Sequence, residues 1–178
     1  MNNQYTLSFS RATEGEYTCL PFSFEATVRQ PAAAVWNEWL QTLSDHERSW
    51  LWPTQYSRPT VDTFPPRAGG VITLTYQMPN PYDLSAPPRH LVYDFDIVDY
   101  SADGMYLDYK EGATHPFLGG GRVSVKVIDE HTCLFTWAGM YKHLSERKSR
   151  QAAGDIFAHY FNMFFTALAQ NIRNNIGY

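Results

Sequence analysis

The sequence predicts an α+β fold in which a curved antiparallel sheet of about seven strands wraps around one long C-terminal helix, with two short helices after the first strand. Three observations carry this. Several segments alternate apolar and polar residues, as half-buried strands do. Clusters of Pro, Gly, Asn and Asp punctuate them as turns. The last thirty or so residues repeat their apolar side chains at helical period, with only Gly154 as a weak point.

The elements follow in order. Phe22, Phe24, Ala26 and Val28 alternate with Ser23, Glu25, Thr27 and Arg29, which is a strand. Pro31 opens a helix, because the missing N–H costs nothing in a first turn. Residues 32–43 continue it, with Val35, Trp39 and Leu43 on one stripe and Trp36 and Leu40 beside it. Ser44-Asp45-His46-Glu47 matches a capping box and predicts a second short helix, stopped by Pro53. A weak strand covers residues 56–64, and Ile72, Leu74, Tyr76 and Met78 share one face of the next. Residues 79–90, with four prolines, read as a loop. In residues 89–100, Leu91, Tyr93, Phe95 and Ile97 face one way, and Asp94 and Asp96 the other. A strand over 105–111 and a loop over 112–121 precede a strand over 122–129, where Val123, Val125 and Val127 point inward. Residues 132–143 form the last strand, with Cys133, Phe135, Trp137, Gly139, Tyr141 and His143 on one face.

Ser145 is the expected N-cap of a helix running to Asn175. Phe157, Phe161, Phe164, Phe165, Leu168 and Ile172 fall within a third of its circumference and face the sheet. Ile156, Tyr160 and Met163 form a second stripe on the far side, to be covered by the N-terminal segment or by another subunit as a homodimer. Residues 1–20, where Tyr5, Leu7 and Phe9 alternate, are expected as an N-terminal extension acting as a covering strand, and residues 21–178 as a single domain.

Composition narrows the function. With 44% hydrophobic and 18% charged residues, the chain is neither disordered nor fibrous. A net charge of −4 gives no electrostatic footprint for nucleic acid and no polybasic membrane patch. No apolar run approaches a membrane span, and the N-terminus lacks a signal-peptide pattern, so no membrane insertion and a cytoplasmic location are expected. Cys19 and Cys133 are too few for a disulfide scaffold. The six histidines show no metal-ligand spacing, and no nucleotide fingerprint is present, so neither metal nor cofactor is expected.

A sheet of this size curls, and one helix cannot fill its concave side along the full width. The gap is an expected cavity, and 16% aromatic residues suit its walls. Trp39 would line it from the first helix, Tyr76, Tyr93, Phe95 and Tyr109 from the middle strands, and Phe135 and Trp137 from the last strand. Phe157, Phe161 and Phe164 would line it from the long helix. Tyr141 and His143 are candidate proton-transfer groups at the mouth, although a strand-end histidine is also explained by solvation alone. His115 is either a gate over the cavity or part of an exposed hairpin loop. Asp94 and Asp96 point outward and are set aside as a carboxylate pair.

The strand that leads into Gln30-Pro31-Ala32-Ala33-Ala34-Val35-Trp36 resembles the opening of the START and birch-pollen-allergen-like (SRPBCC) helix-grip superfamily, and in particular its polyketide cyclase-like branch. Trp50-Leu51-Trp52-Pro53, Gly69-Gly70, Thr132 with Phe135-Thr136-Trp137, and the long final helix match as well, over roughly residues 20–176. Residues 1–20 and the Pro-rich loop depart from the pattern. The resemblance implies a deep apolar pocket for a hydrophobic, aromatic or polyketide-like small molecule. Cyclisation, dehydration or a related proton-transfer step is one expectation; a non-catalytic carrier or sensor of a lipid-like ligand is the other. A partner-binding domain of the chaperone-activator type is a third.

Overall fold

The computed structural model describes residues 5–78 and 85–175. Its elements are β1 (Tyr5–Phe9), β2 (Ala12–Glu14), β3 (Tyr17–Val28), α1 (Ala32–Ser44), β4 (Ser57–Val61), β5 (Val71–Met78), β6 (Arg89–Ser101), β7 (Tyr106–Glu111), β8 (Leu118–Asp129), β9 (Thr132–Leu144) and α2 (Lys148–Asn175). The strands form one antiparallel sheet in the order β1-β3-β9-β8-β7-β6-β5-β4, with β2 also paired to β3. The sheet is curved around the long α2, as the alternation predicts, but it has nine strands rather than about seven because β1 and β2 join it. β1 pairs Tyr5 with Ala26 and Phe9 with Phe22, so the N-terminal segment extends the sheet edge in plane.

One face of each middle strand is buried towards the helices, with β4 and β8 packed on α1 and β3 and β9 on α2. Ile72, Leu74, Tyr76 and Met78 are buried, as are Phe95, Ile97, Val123 and Val125. Val127 departs from its expected inward place and is 64% exposed, although it still pairs in register with Cys133; the ladder shifts only after it, between Val127 and Asp129. Phe24, Phe135 and Phe165 pack at the centre, with Phe24 stacked on Phe165 at 5.1 Å. Asp94 and Asp96 point outward, to the Thr73 hydroxyl and to Lys110.

The second short helix is absent. After α1 the Arg48 amide closes onto the Asp45 carbonyl and the Ser49 amide onto that of His46, each a single turn. The Glu38 carboxylate then accepts from the Trp50 amide and the Ser49 hydroxyl, which holds the chain extended towards Pro53 before a helix can propagate. Of the second stripe of α2, Tyr160 is covered by segment 50–57, a role the sequence pattern left to residues 1–20 or to another subunit. Tyr160 is 1% exposed and its hydroxyl donates to the Tyr56 carbonyl, while Asn171 Nδ2 donates to the Leu51 carbonyl. Ile156 stays exposed. Tyr160→Phe should therefore cost about 1 kcal/mol, read as a lower urea midpoint at unchanged slope.

Two further boundaries move. α2 starts at Lys148, and Ser145 is no cap: its hydroxyl meets that of Thr18 and its amide donates to the Glu16 carbonyl. β8 begins at Leu118, so Gly119-Gly120-Gly121 lie inside a strand, paired with Tyr141, Met140 and Gly139 of β9. Glycine is needed because the backbones approach too closely for side chains; a Cβ on Gly120 would lie 2.2 Å from the Tyr109 carbonyl oxygen. In the expected loop 79–90, residues 79–84 lie outside the described residues, and Arg89 and His90 already belong to β6.

Candidate functional site

Between the concave face of the sheet and α2 lies a space of about 760 Å³, its mouth included, with room for only a handful of water molecules between the side chains. α1 closes it with Trp39 and Leu43, and Trp52 adds a wall from the segment after α1. The sheet contributes Phe22, Ile72, Leu74, Tyr76, Phe95, Leu107, Tyr109, Glu111, Val123, Trp137 and Tyr141. α2 contributes Phe157, Tyr160, Phe161 and Phe164. Period-2 alternation brings the strand residues to this face, and the helical stripe brings the phenylalanines.

The aromatic rings lock one another. Trp137 meets Trp52 at 5.6 Å, Phe164 at 5.8 Å and Phe165 at 5.5 Å, and its Nε1–H donates to the Tyr109 hydroxyl at 2.8 Å. Burial raises the Tyr109 phenol well above its usual value, as it does those of Tyr76 and Tyr160, so all three stay neutral O–H groups.

Of the residues singled out from the sequence, Trp39, Tyr76, Phe95, Tyr109, His115, Trp137, Tyr141, Phe157, Phe161 and Phe164 line the space. Three do not. Tyr93 stands behind it, edge-on to the His115 ring at 4.9 Å. Phe135 is fully buried against Phe24, deeper in the sheet–helix core. His143 is on the buried face but lies beyond Phe117, 6.0 Å away ring to ring, so a wall residue separates it from the space. Tyr141 lines the wall, yet its hydroxyl donates to the Gly154 carbonyl of α2 at 3.4 Å. Tyr141 is thus tied into the scaffold, while His143 holds its Nδ1 against the Leu144 carbonyl and keeps Nε2 buried without a hydrogen-bond partner, outside the space.

His115 is neither exposed nor free-swinging. The Asp94 amide donates to the Thr114 hydroxyl, the Gly112 amide to the Asp94 carbonyl and the His115 amide to the Gly112 carbonyl, which pins the loop to β6. The imidazole sits among Tyr93, Phe95, Phe117 and Phe157, with Phe95 5.0 Å away. Burial depresses its pKa to about 4, helped by the positive charge of Arg150, so the ring is neutral at pH 7. The Phe117 amide donates to Nδ1 at 3.2 Å, shorter than the 3.4 Å from Nδ1 to the Phe117 carbonyl. With Nδ1 as the acceptor of that shorter contact, the ring proton sits on Nε2; in the other tautomer Nδ1 donates to the Phe117 carbonyl.

Several wall residues escaped the sequence reading, among them Tyr160, expected on the far side of α2 but lining the space. Phe117 sits in what reads as a loop. Glu111 is the larger omission: it lines the space, and its Oε2 is buried without a hydrogen-bond partner. Burial lifts its pKa to about 7, partly offset by its own backbone amide. Parity could have found it, since Leu107, Tyr109 and Glu111 share one face of β7. Among the described residues no three His, Cys, Asp or Glu side chains gather as a metal site would require.

No protein-family model matches the sequence, and no curated protein matches it significantly. Solved structures do match in shape. The Zhui aromatase/cyclase from Streptomyces sp. R1128 superposes with a TM-score of 0.55 at 13% identity, over 86% of this chain and 93% of that one. The chain has the helix-grip fold. The helix-grip neighbours also include ginseng major latex-like protein 151 from Panax ginseng, with a TM-score of 0.57 at 14% identity over 90% and 99% of the two chains. A Staphylococcus aureus protein of unknown function gives 0.60 at 14% identity over 89% and 96%. At these identities the likeness concerns the fold alone. No helix among the described residues is long and apolar enough to cross a membrane.

Proposed function

We propose that this helix-grip protein binds a flat, apolar, oxygen-bearing small molecule of polyketide-like character between sheet and α2, and acts on it by a cyclisation, dehydration or related proton-transfer step. The observation that carries the reading is the wall itself. It is built almost wholly of aromatic and aliphatic side chains, with a few polar groups at Glu111, His115, Tyr76 and Tyr109. Such a wall gives affinity through burial, and the few polar groups orient the ligand. Likeness to an aromatase/cyclase supports the reaction class by analogy of fold. A second reading, a non-catalytic carrier of a lipid-like ligand, draws support from Tyr141, whose hydroxyl is held by the Gly154 carbonyl, and from His143, which is not among the residues that line the space.

Native mass spectrometry of the purified protein, followed by extraction and identification of what it retains, tests both. A flat oxygenated polycycle is the expected result. A fatty acid or sterol would favour the carrier. A protein that retains nothing and also fails to bind apolar dyes would overturn both readings, leaving the aromatic residues as core alone.

A further inference from the structure

A carboxylate oxygen buried without a partner is rare in folded proteins and needs a reason. Glu111 Oε2 is such an atom, and it belongs to a residue of the cavity wall. Packing does not account for it, because a glutamine or a leucine would fill the same place at lower desolvation cost. Its surroundings supply the other half of a chemical site. Glu111 pairs across the strands with Phe95, and the His115 ring lies 5.0 Å from the Phe95 ring. The carboxyl group and the imidazole thus flank one aromatic side chain on the same wall. In the tautomer where Nδ1 accepts from the Phe117 amide, its shorter contact, Nε2–H is a neutral donor.

We propose that Glu111 and His115 form an acid–base site that enolises an apolar ketone, with Glu111 as the catalytic base and His115 as a hydrogen-bond donor to the carbonyl oxygen. The proposal rests on the ligand-binding reading above. In the forward step the Glu111 carboxylate takes a proton from the carbon next to the carbonyl. The C–H electron pair becomes the new C–C π bond, and the carbonyl π pair moves onto oxygen, where the Nε2–H of His115 stabilises it. The proton held by Glu111 then returns, either to that oxygen, giving the enol, or to carbon, restoring the ketone. No oxidant, reductant or cofactor enters the balance. His115 keeps its proton throughout, as a neutral imidazole in a dry pocket does when it acts as an electrophile. The substrate class is a flat ketone with acidic α C–H bonds and no charge of its own, because the wall around the site is apolar.

2-Tetralone in D2O is a direct probe, since enolisation exchanges its α-hydrogens for deuterium and NMR reads the loss of signal. Binding is read separately from the fluorescence of Trp39, Trp52 and Trp137, all on the cavity wall. The wild-type protein should accelerate exchange over buffer, with a rate that rises with pH and levels above about 7. Glu111→Gln should lose on the order of 100-fold or more of that rate while still quenching tryptophan fluorescence, and its residual rate should lack the step near 7. His115→Phe, which keeps the packing and removes the donor, should lose roughly tenfold or more. Bound 2-tetralone that exchanges no faster than in buffer, or equally fast with Glu111→Gln, would overturn the assignment while leaving the ligand-binding reading intact. Failure of the wild-type protein to bind 2-tetralone and related flat ketones at all would take both down together.

Discussion

Replacing Gly119 by alanine should leave little folded protein. Gly119 has φ +127°, a conformation that side-chain-bearing residues rarely adopt, and a Cβ there would lie 2.0 Å from the backbone oxygen of Met140. The obstacle is backbone of the neighbouring strand, so no rotamer change relieves it. Either β8 moves away from β9, breaking the ladder from Leu118 to Lys142 onward, or the strain remains. Each outcome costs several kcal/mol, a large fraction of the 5–15 kcal/mol that holds a typical domain. Gly15 is the control. Its φ of +59° is also left-handed, but a Cβ there meets nothing within 4 Å, so Gly15→Ala should cost only about 1–2 kcal/mol. Soluble yield and urea denaturation of the two variants read the difference. Equal stability would show that β8 and β9 are less tightly apposed than described.

The second large effect is a pH dependence hidden by cancellation. Glu111 has its pKa raised on folding, from 4.5 to about 7, so between those values the folded state holds the extra proton and stability falls as pH rises. His115 has its pKa lowered from 6.5 to about 4, so between those values the unfolded state holds the extra proton and stability rises with pH. From about 4.5 to 6.5 the two slopes oppose each other and nearly cancel. Each shift alone corresponds to roughly 3 kcal/mol. Glu111→Gln should therefore gain stability over the wild type as pH rises past 4.5, with the full gain above 7. His115→Gln should be matched to the wild type or better in acid and lose its relative advantage as pH rises from 4 to 6.5. Thermal melts of the three proteins between pH 4 and 8 test this. Parallel curves would show that neither group is desolvated in the fold.

These two residues also mark how far sequence reading reaches. Alternation in β5, β6 and β9 assigns the buried face residue by residue, because a half-buried strand exposes every second side chain. That is why Tyr76, Phe95 and Trp137 were legible as wall. Parity says which face a residue takes but not how far along the strand it sits. Phe135 and His143 are on the right face of β9, yet Phe135 falls in the packed core and His143 lies beyond Phe117. Glu111 obeys the same parity, but a glutamate ending a strand before a glycine reads as solvated. Its burial comes from the 112–117 loop folding back on β6, a long-range event set by hydrogen bonds to Asp94. The missing second helix has the same origin: the local capping pattern at Ser44 to Glu47 is real, but Glu38, six residues earlier on α1, captures the chain first.

The pairing of β3 with β9 has a temporal meaning. Val28 meets Cys133 and Tyr17 meets Leu144, so this ladder joins partners more than a hundred residues apart. During synthesis the inner edge of β3 has to wait more than a hundred residues before its neighbour exists, and α2, which closes the wall, follows that neighbour. Every wall segment made earlier stays open on one side until then. The space between sheet and helix therefore closes only after all nine strands have been made, and truncation within α2 leaves it open on that side.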